Sequence, residues 1–273
     1  MALDDPVSRY LPEFSGGAKR SVTVRHLLTH TSGLAAGMAV SGNTPEERLR
    51  QVIRAPLRAR PGQRVIYSDL GPVVLWAAAE RAATEPLEAL LRSRVFEPLG
   101  MASTRFRPPL PCSACAPTAP TIRGRVHDPI ASRLGGVTGN AGLFSTATDV
   151  GRFAAMLAGG GELGGVRVLR EETVREFIRR QPGADTRALG WDTRNPRGRG
   201  AAGARSSPRA FGHTGFTGTS LWIDSERGTW TVLLTNRTYQ PQGRNRIQAL
   251  RRVVHDHVAE AADGVTAPRP RGD

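Results

Sequence analysis

Apolar positions along this chain follow two periods. Three short runs near its C-terminal end, Phe211–Thr214, Ser220–Ile223 and Trp230–Leu234, have the length and β-rich content of strands. The last two flank Asp224-Ser225-Glu226-Arg227-Gly228 and predict a β-hairpin, with the first run as a third strand. Gly215 and Gly218 loosen the end of that third strand, where a bare backbone lets a ligand approach closely. The same pattern serves three core strands and a turn equally well.

Elsewhere the apolar spacing is helical. Val24, Leu27 and Leu28 share a face in Ser21–Leu34, and Gly33 would end that helix. Thr44-Pro45-Glu46-Glu47 predicts a start with a hydroxyl cap, a first-position proline and acids against the dipole, running to about Arg54. Leu70–Ala83 reads as a buried helix that Ser68 can cap. Thr84-Glu85-Pro86 predicts the next start, with Leu87, Leu90, Leu91 and Val95 on one face. Thr146-Ala147-Thr148-Asp149 predicts a capping box before a helix carrying Val150, Phe153 and Leu157. Glu171–Arg180 predicts another helix. Arg246–Ala262 predicts a closing one, with Ile247, Leu250, Val254 and Val258 inward. Between these lies Arg105–Leu143, rich in Gly and Pro, a length of loop that usually serves a site. Asn195–Arg209 reads as a solvated, mobile loop and residues 263–273 as a disordered tail.

Size and composition narrow the class. A chain of 273 residues with 39% hydrophobic content is globular and can bury a substantial core. No apolar run reaches the roughly 18 residues of a membrane-spanning helix. Met1–Asp5 lacks the basic and apolar stretches of a signal peptide, and localisation stays open. The net charge of +14 is almost all arginine, and Lys19 is the only lysine. A nucleic-acid binder would share that sign, but the arginines are scattered without a basic stripe. The expectation is therefore no nucleic-acid partner. Cys112 and Cys115 cannot complete a tetrahedral zinc site alone, and their proline-rich flanks predict incidental loop thiols, bridged or free. The six histidines show no metal spacing. No metal and no cofactor are expected.

Four stretches occur in order: Leu-Leu-Thr-His-Thr-Ser-Gly-Leu at 27–34, Tyr67-Ser68-Asp69, Ala141–Thr146 with Asp149, and His213-Thr214-Gly215. Together they resemble the serine β-lactamase and penicillin-binding-protein superfamily, in its class C-like branch with esterases and D-amino-acid peptidases. The resemblance runs from Leu3 to about Ala262. It implies an α+β fold of the β-lactamase/transpeptidase type, an antiparallel sheet flanked by helices with a mostly helical region inserted. One domain would cover residues 1–262, helical over about 20–185 and sheet over about 186–262.

The resemblance also implies acyl transfer through a serine, on a β-lactam, a D-amino-acid peptide or an ester. Tyr67 matches the tyrosine that carries the proton. A phenol with pKa near 10 does this only beside positive charge. Asp69 would either contact substrate or lysine, or simply place charge at a helix start. His213 stands where other branches carry lysine, as a hydrogen-bonding wall or, less simply, as a general base. Thr214 would bond substrate, Gly215 would keep the strand end open, and the Phe216 N–H would donate to an oxyanion. His30 and His127 read as loop-pinning residues.

One motif departs from the pattern. The family's Ser-x-x-Lys is absent: Gly16 lies three residues before Lys19, and Ser15 lies four before. Ser32, Ser68 and Ser145 have no lysine partner, so none replaces it. The expectation is a chain truncated at its N-terminus, without the first strands and the nucleophile helix, and inactive as it stands. Three readings remain open: an active hydrolase in a longer form, a pseudoenzyme binding peptidoglycan-like peptides, and a basic nucleic-acid binder.

Overall fold

The computed structural model describes residues 1–198, 200–239 and 246–266. The chain begins with a 3-10 turn at Val7–Arg9, held by the Val7 N–H on Val22 O (2.9 Å). Helix α1 (Val24–Leu28) follows. Thr23 Oγ1 accepts from the His26 N–H, and His26 Nδ1 accepts from the Thr23 N–H, so two orphan donors are satisfied reciprocally. The helix stops well short of Gly33. His30 takes a left-handed conformation (φ 56°) that no helix continues, and Thr29–Leu34 becomes a buried loop. Gly33 is required there: its φ is 83°, and a Cβ would lie 2.2 Å from Ala59 O.

Helices α2 (Pro45–Arg54) and α3 (Leu70–Ala83) have the bounds that the sequence predicts. Ser68 Oγ accepts from the N–H groups of Leu70 and Gly71 and donates to Ala35 O, so it caps α3 and ties it to a distant loop. Helix α4 (Leu87–Leu91) runs on as a π turn to Phe96. Thr84 does not cap it. Thr84 is left-handed, its hydroxyl turns back to Ala83 O, and Glu80 accepts the Leu87 N–H instead.

Strand β1 (Arg105–Phe106) pairs with β2 (Leu143–Phe144), closing the long segment between them. That segment holds a short helix that periodicity does not reveal, α5 (Pro129–Arg133), capped by Asp128. Cys112 and Cys115 form a disulfide. In α6 (Ala147–Ala158), Thr146 accepts the Asp149 N–H, but the Asp149 carboxylate does not return the bond. It accepts from Ser103 N–H (2.8 Å) and Thr104 Oγ1 (2.9 Å), so half of the predicted capping box is a tertiary tether. Strands β3 (Glu162–Leu163) and β4 (Val166–Arg167) form a small hairpin, and α7 (Glu171–Ile178) stops two residues before Arg180.

The main sheet is antiparallel in the order β5 (Asp192–Thr193), β6 (Phe211–Thr214), β7 (Ser220–Asp224), β8 (Thr229–Leu233). His213 lies opposite Leu221, and Thr214 opposite Ser220. Helix α8 (Ile247–Thr266) packs against β8. Its inward stripe differs from the predicted one. Leu250 is 43% exposed, whereas Arg251 and His255 are buried with Ile247 and Ala259. The helix passes Ala262, so the expected tail does not begin at 263; residues 267–273 lie outside the described residues.

The described part of the segment 195–209 is anchored over residues 201–207 rather than solvated throughout. Ala201 and Ala202 pack on Trp222, and the Ala204 and Arg205 N–H groups donate to Asp256 Oδ1. Ser207 bonds Asp224 through both its N–H and its hydroxyl.

Two cores result. One joins Val7, Leu11 and Phe14 to Leu27, Leu34, Leu70 and Val74. The other joins Phe96, Met156 and Val174 to Phe211 and Ile223, so α6 and α7 pack with the sheet. Each fully buried Leu or Phe contributes roughly 1.5–3 kcal/mol to its core. Among the described residues no helix is long and apolar enough to cross a membrane.

Candidate active site

Tyr67 sits just ahead of α3, and backbone bonds fix it from both sides. The Ile66 N–H donates to His30 O (2.8 Å), the Ser68 N–H to His30 Nδ1 (3.2 Å), and the Asp69 N–H to Ala36 O (2.8 Å). The Tyr67 ring lies against His30, with centroids 4.5 Å apart, and is 46% exposed. The His213 ring, from β6, stacks at 6.2 Å and 25°. Residues nearly 150 positions apart thus meet across the two cores. His213 Nδ1 is 3.0 Å from Thr214 O, and since a carbonyl only accepts, that nitrogen carries the proton.

Beyond His213 the strand ends in a tight turn. The Gly215 N–H donates to Thr219 O (2.8 Å), and a Cβ on Gly215 would lie 2.1 Å from Thr219 Oγ1. The Phe216 N–H finds no acceptor among the described residues. The Phe216 ring is exposed, beside His127 (5.9 Å) and the Arg237 guanidinium (4.4 Å). Arg251 supports the turn from beneath: its Nη2 donates to Gly215 O (2.8 Å) and Thr219 O (2.6 Å).

The electrostatics oppose one another. Burial, then the Asp69 carboxylate and Asp128, push the Tyr67 phenol above its ordinary pKa, while Arg187 pulls it down. Arg187 lies with its guanidinium carbon 5.3 Å from the Tyr67 centroid. Burial and then Asp128 raise the Asp69 carboxyl, whose side chain has no hydrogen bond among the described residues. Burial holds His213 below the usual imidazole range, with Arg187 acting in the same direction. It lowers His30 to about 3, so both rings are neutral at pH 7.

The structure therefore brings Tyr67, Asp69, His213, Thr214, Gly215 and the Phe216 N–H to one edge, while the Phe216 ring turns toward His127. His127 also contacts Thr118 Oγ1 (3.0 Å), and so fastens its loop. Lys19 is elsewhere: it is buried in the first core, donating to Ile53 O over the Phe14 ring. Ser32, Ser68 and Ser145 are each engaged in hydrogen bonds, to the Leu34 N–H, Ala35 O and Thr104 Oγ1 respectively. Arg187 and Arg251 escape a sequence reading. The sole signal for Arg187 is a charged residue abutting the buried pair Ala188 and Leu189, in a chain full of arginines. Among the described residues no group of three or more His, Cys, Asp or Glu side chains is placed to hold a metal ion.

An antiparallel sheet with packed helices and a helical region carrying Tyr67 defines an α+β fold of the β-lactamase/transpeptidase class. The chain belongs to the Beta-lactamase family, whose model matches residues 1–255. A Salmonella agona protein named "Putative D-alanyl-D-alanine carboxypeptidase" is 30% identical over 276 residues. The match takes in 88% of this chain and 64% of that relative, so the chain spans less than two thirds of the relative's length. Two solved structures share the fold. A penicillin-binding-protein homologue from Caulobacter crescentus superposes with a TM-score of 0.74 at 21% identity, over 96% of this chain and 77% of its own. A β-lactamase from Mycobacterium bovis gives 0.64 at 24%, over 96% and 87%. The family makes this chain similar to serine hydrolases of the β-lactamase, carboxypeptidase and esterase types, which act on small molecules or peptides.

Proposed function

We propose that this domain carries the proton-transfer and substrate-binding part of a serine acyl-transfer site, with D-alanyl peptides as the favoured substrate class. Tyr67 takes the proton that an attacking hydroxyl gives up and returns it to the leaving group. Thr214 bonds the substrate, and the Phe216 N–H is one oxyanion donor. His213 is a neutral hydrogen-bonding wall, and Asp69 makes polar contact at the helix start. The nucleophile is not among these 273 residues, because the only lysine is locked in the core and no serine stands three residues before it. The chain by itself thus binds acyl substrates without turning them over. The observation that carries this reading is the meeting of Tyr67 with His213 at 6.2 Å in a member of this family. The D-alanyl class rests on the name of the Salmonella relative.

The test is amide NMR of the 273-residue chain with N-acetyl-D-Ala-D-Ala, penicillin or a short-chain ester. Saturable shifts at Thr214, Gly215 and Phe216 are expected with the peptide, weakened at least about fivefold in T214V, the loss of one hydrogen bond of about 1 kcal/mol. No response to any of the three ligands would sink the site. A covalent serine adduct with penicillin or a fluorophosphonate would overturn the statement that the nucleophile lies elsewhere.

A further inference from the structure

Tyr67 needs a cation to work as a base, and the charges around it can be taken in turn. His30, from the loop after α1, is buried and neutral, with its Nδ1 accepting the Ser68 N–H. His213, from β6, is part-buried, and desolvation keeps it neutral as well. Asp69, at the start of α3, and Asp128, at the start of α5, carry the wrong sign. Lys19 is committed to Ile53 O in the first core. Arg187 remains, in the segment between α7 and β5. Its guanidinium faces the Tyr67 ring at 5.3 Å, and its side chain has no hydrogen bond or ion pair among the described residues. Its backbone is nonetheless fixed: the Arg187 N–H donates to Ala184 O (2.9 Å), and Arg187 O accepts from the Gln181 N–H (2.9 Å). A half-buried cation aimed at a ring and unclaimed by any carboxylate is poised for charge that develops there.

We propose that Arg187 is the positioned cation of this site, stabilising the Tyr67 phenolate in the place that a lysine would otherwise fill. The inference rests on the reading of Tyr67 as the proton carrier. A guanidinium stays charged at every pH at which a phenol ionises, so its help does not fade as Tyr67 loses its proton. Arginine also stacks on the neutral ring, so it is held in place before the charge appears. Asp69 works against it, and the two side chains together set how readily Tyr67 ionises.

The chain has three tyrosines, Tyr10, Tyr67 and Tyr239. With tyrosine labelled at Cζ with carbon-13, each phenol can be titrated by NMR between pH 8 and 12, and Y67F assigns the Tyr67 resonance. R187Q should raise the Tyr67 midpoint by about one pH unit, the lower end for a charge at this range. R187K should restore part of the shift, and D69N should lower the midpoint. Tyr10, bonded to Asp5, should not move and reports that the chain is folded. A Tyr67 midpoint unchanged or lowered in R187Q, with Tyr10 intact, overturns the proposal. Should R187Q fail to fold, R187M, which keeps the length of the side chain but not its charge, titrating identically to the parent would overturn it equally. The titration needs no turnover or ligand. Failure of ligand binding with a shifted midpoint defeats only the functional reading, and the converse defeats only the role of Arg187.

Discussion

Lowering the pH from 7.5 to 4.5 should destabilise the chain through His255 by an amount that the structure sets. This imidazole is 3% exposed on the inner face of α8, edge-on to Trp222 at 6.3 Å. Its Nε2 lies 3.3 Å from Ser220 Oγ, and its Nδ1 has no hydrogen-bond partner among the described residues. Burial, and then the nearby Arg251 charge, lower its pKa from 6.5 to about 4. The unfolded chain takes up this proton near pH 6.5, whereas the folded chain resists until about pH 4. The unfolded state therefore binds more protons across that window. The stability is fully present above pH 6.5 and is lost as the pH falls toward 4. Linkage between those two values removes about 2.5 kcal/mol by pH 4.5, against a domain stability on the order of 5–15 kcal/mol. Urea unfolding of the parent and of H255F at both pH values measures it. The variant loses the Ser220 contact, about 1 kcal/mol at pH 7.5, but has nothing to titrate at 255. Its further loss on acidification should be about 2.5 kcal/mol smaller than the parent's. Equal losses in the two proteins would refute the reasoning, because His255 would then be solvated or already protonated in the native state.

Three further outcomes are expected. K19M should leave stability unchanged or raise it by about 1 kcal/mol in urea melts, because burying this ammonium against a single carbonyl is a net penalty, and ligand shifts at Thr214 should not change. G212A should lower stability by about 3 kcal/mol or more, since a Cβ on β6 would stand 2.1 Å from Leu221 O, a backbone atom that cannot step aside. R251M should lose about 2–4 kcal/mol and broaden the amide signals of Gly215 and Thr219, because two charge-assisted bonds hold that turn; a silent substitution would remove Arg251 from the account.

Local signals were legible where the cause was local. The cap at Thr44, the proline beside it and the strand–turn–strand run from Phe211 to Leu233 each depend on neighbours in sequence, and each element forms as its pattern implies. The misreadings share a different cause. Asp149 leaves its helix start for Ser103 and Thr104, and Glu80 replaces Thr84 as the cap of α4. Arg251 and His255 displace Leu250 from the inner face of α8, because carbonyls of the 215–219 turn and the hydroxyl of Ser220 meet them there. In each case a polar group found a partner outside the expected cap or stripe, seven residues away for Glu80 and more than thirty for the others, which periodicity cannot register. The site divides the same way. Tyr67, His213 and Thr214 stand in short motifs, but Arg187 has meaning only once the chain has folded it over a ring 120 positions away.

The two cores give the site a mechanical character. Leu27, Leu34 and Leu70, which flank His30 and Tyr67 in sequence, belong to the first, and Phe211, two residues before His213, belongs to the second. Few polar clasps cross between them: the Gly190 N–H on Leu28 O (2.9 Å), and Arg25, which holds Asp4 with one edge and Glu176 and Gln181 with the other. A small rotation of one half on the other would open the 6.2 Å spacing of Tyr67 and His213 before it disturbed either interior. The site is thus a vernier for the alignment of the halves. A ligand that bridged them should tighten the joint, so amide exchange measured with and without it should become more uniform across the two regions. R25M, which would remove the bonds to Asp4, Glu176 and Gln181, should then weaken ligand binding without altering Tyr67, His213 or Thr214.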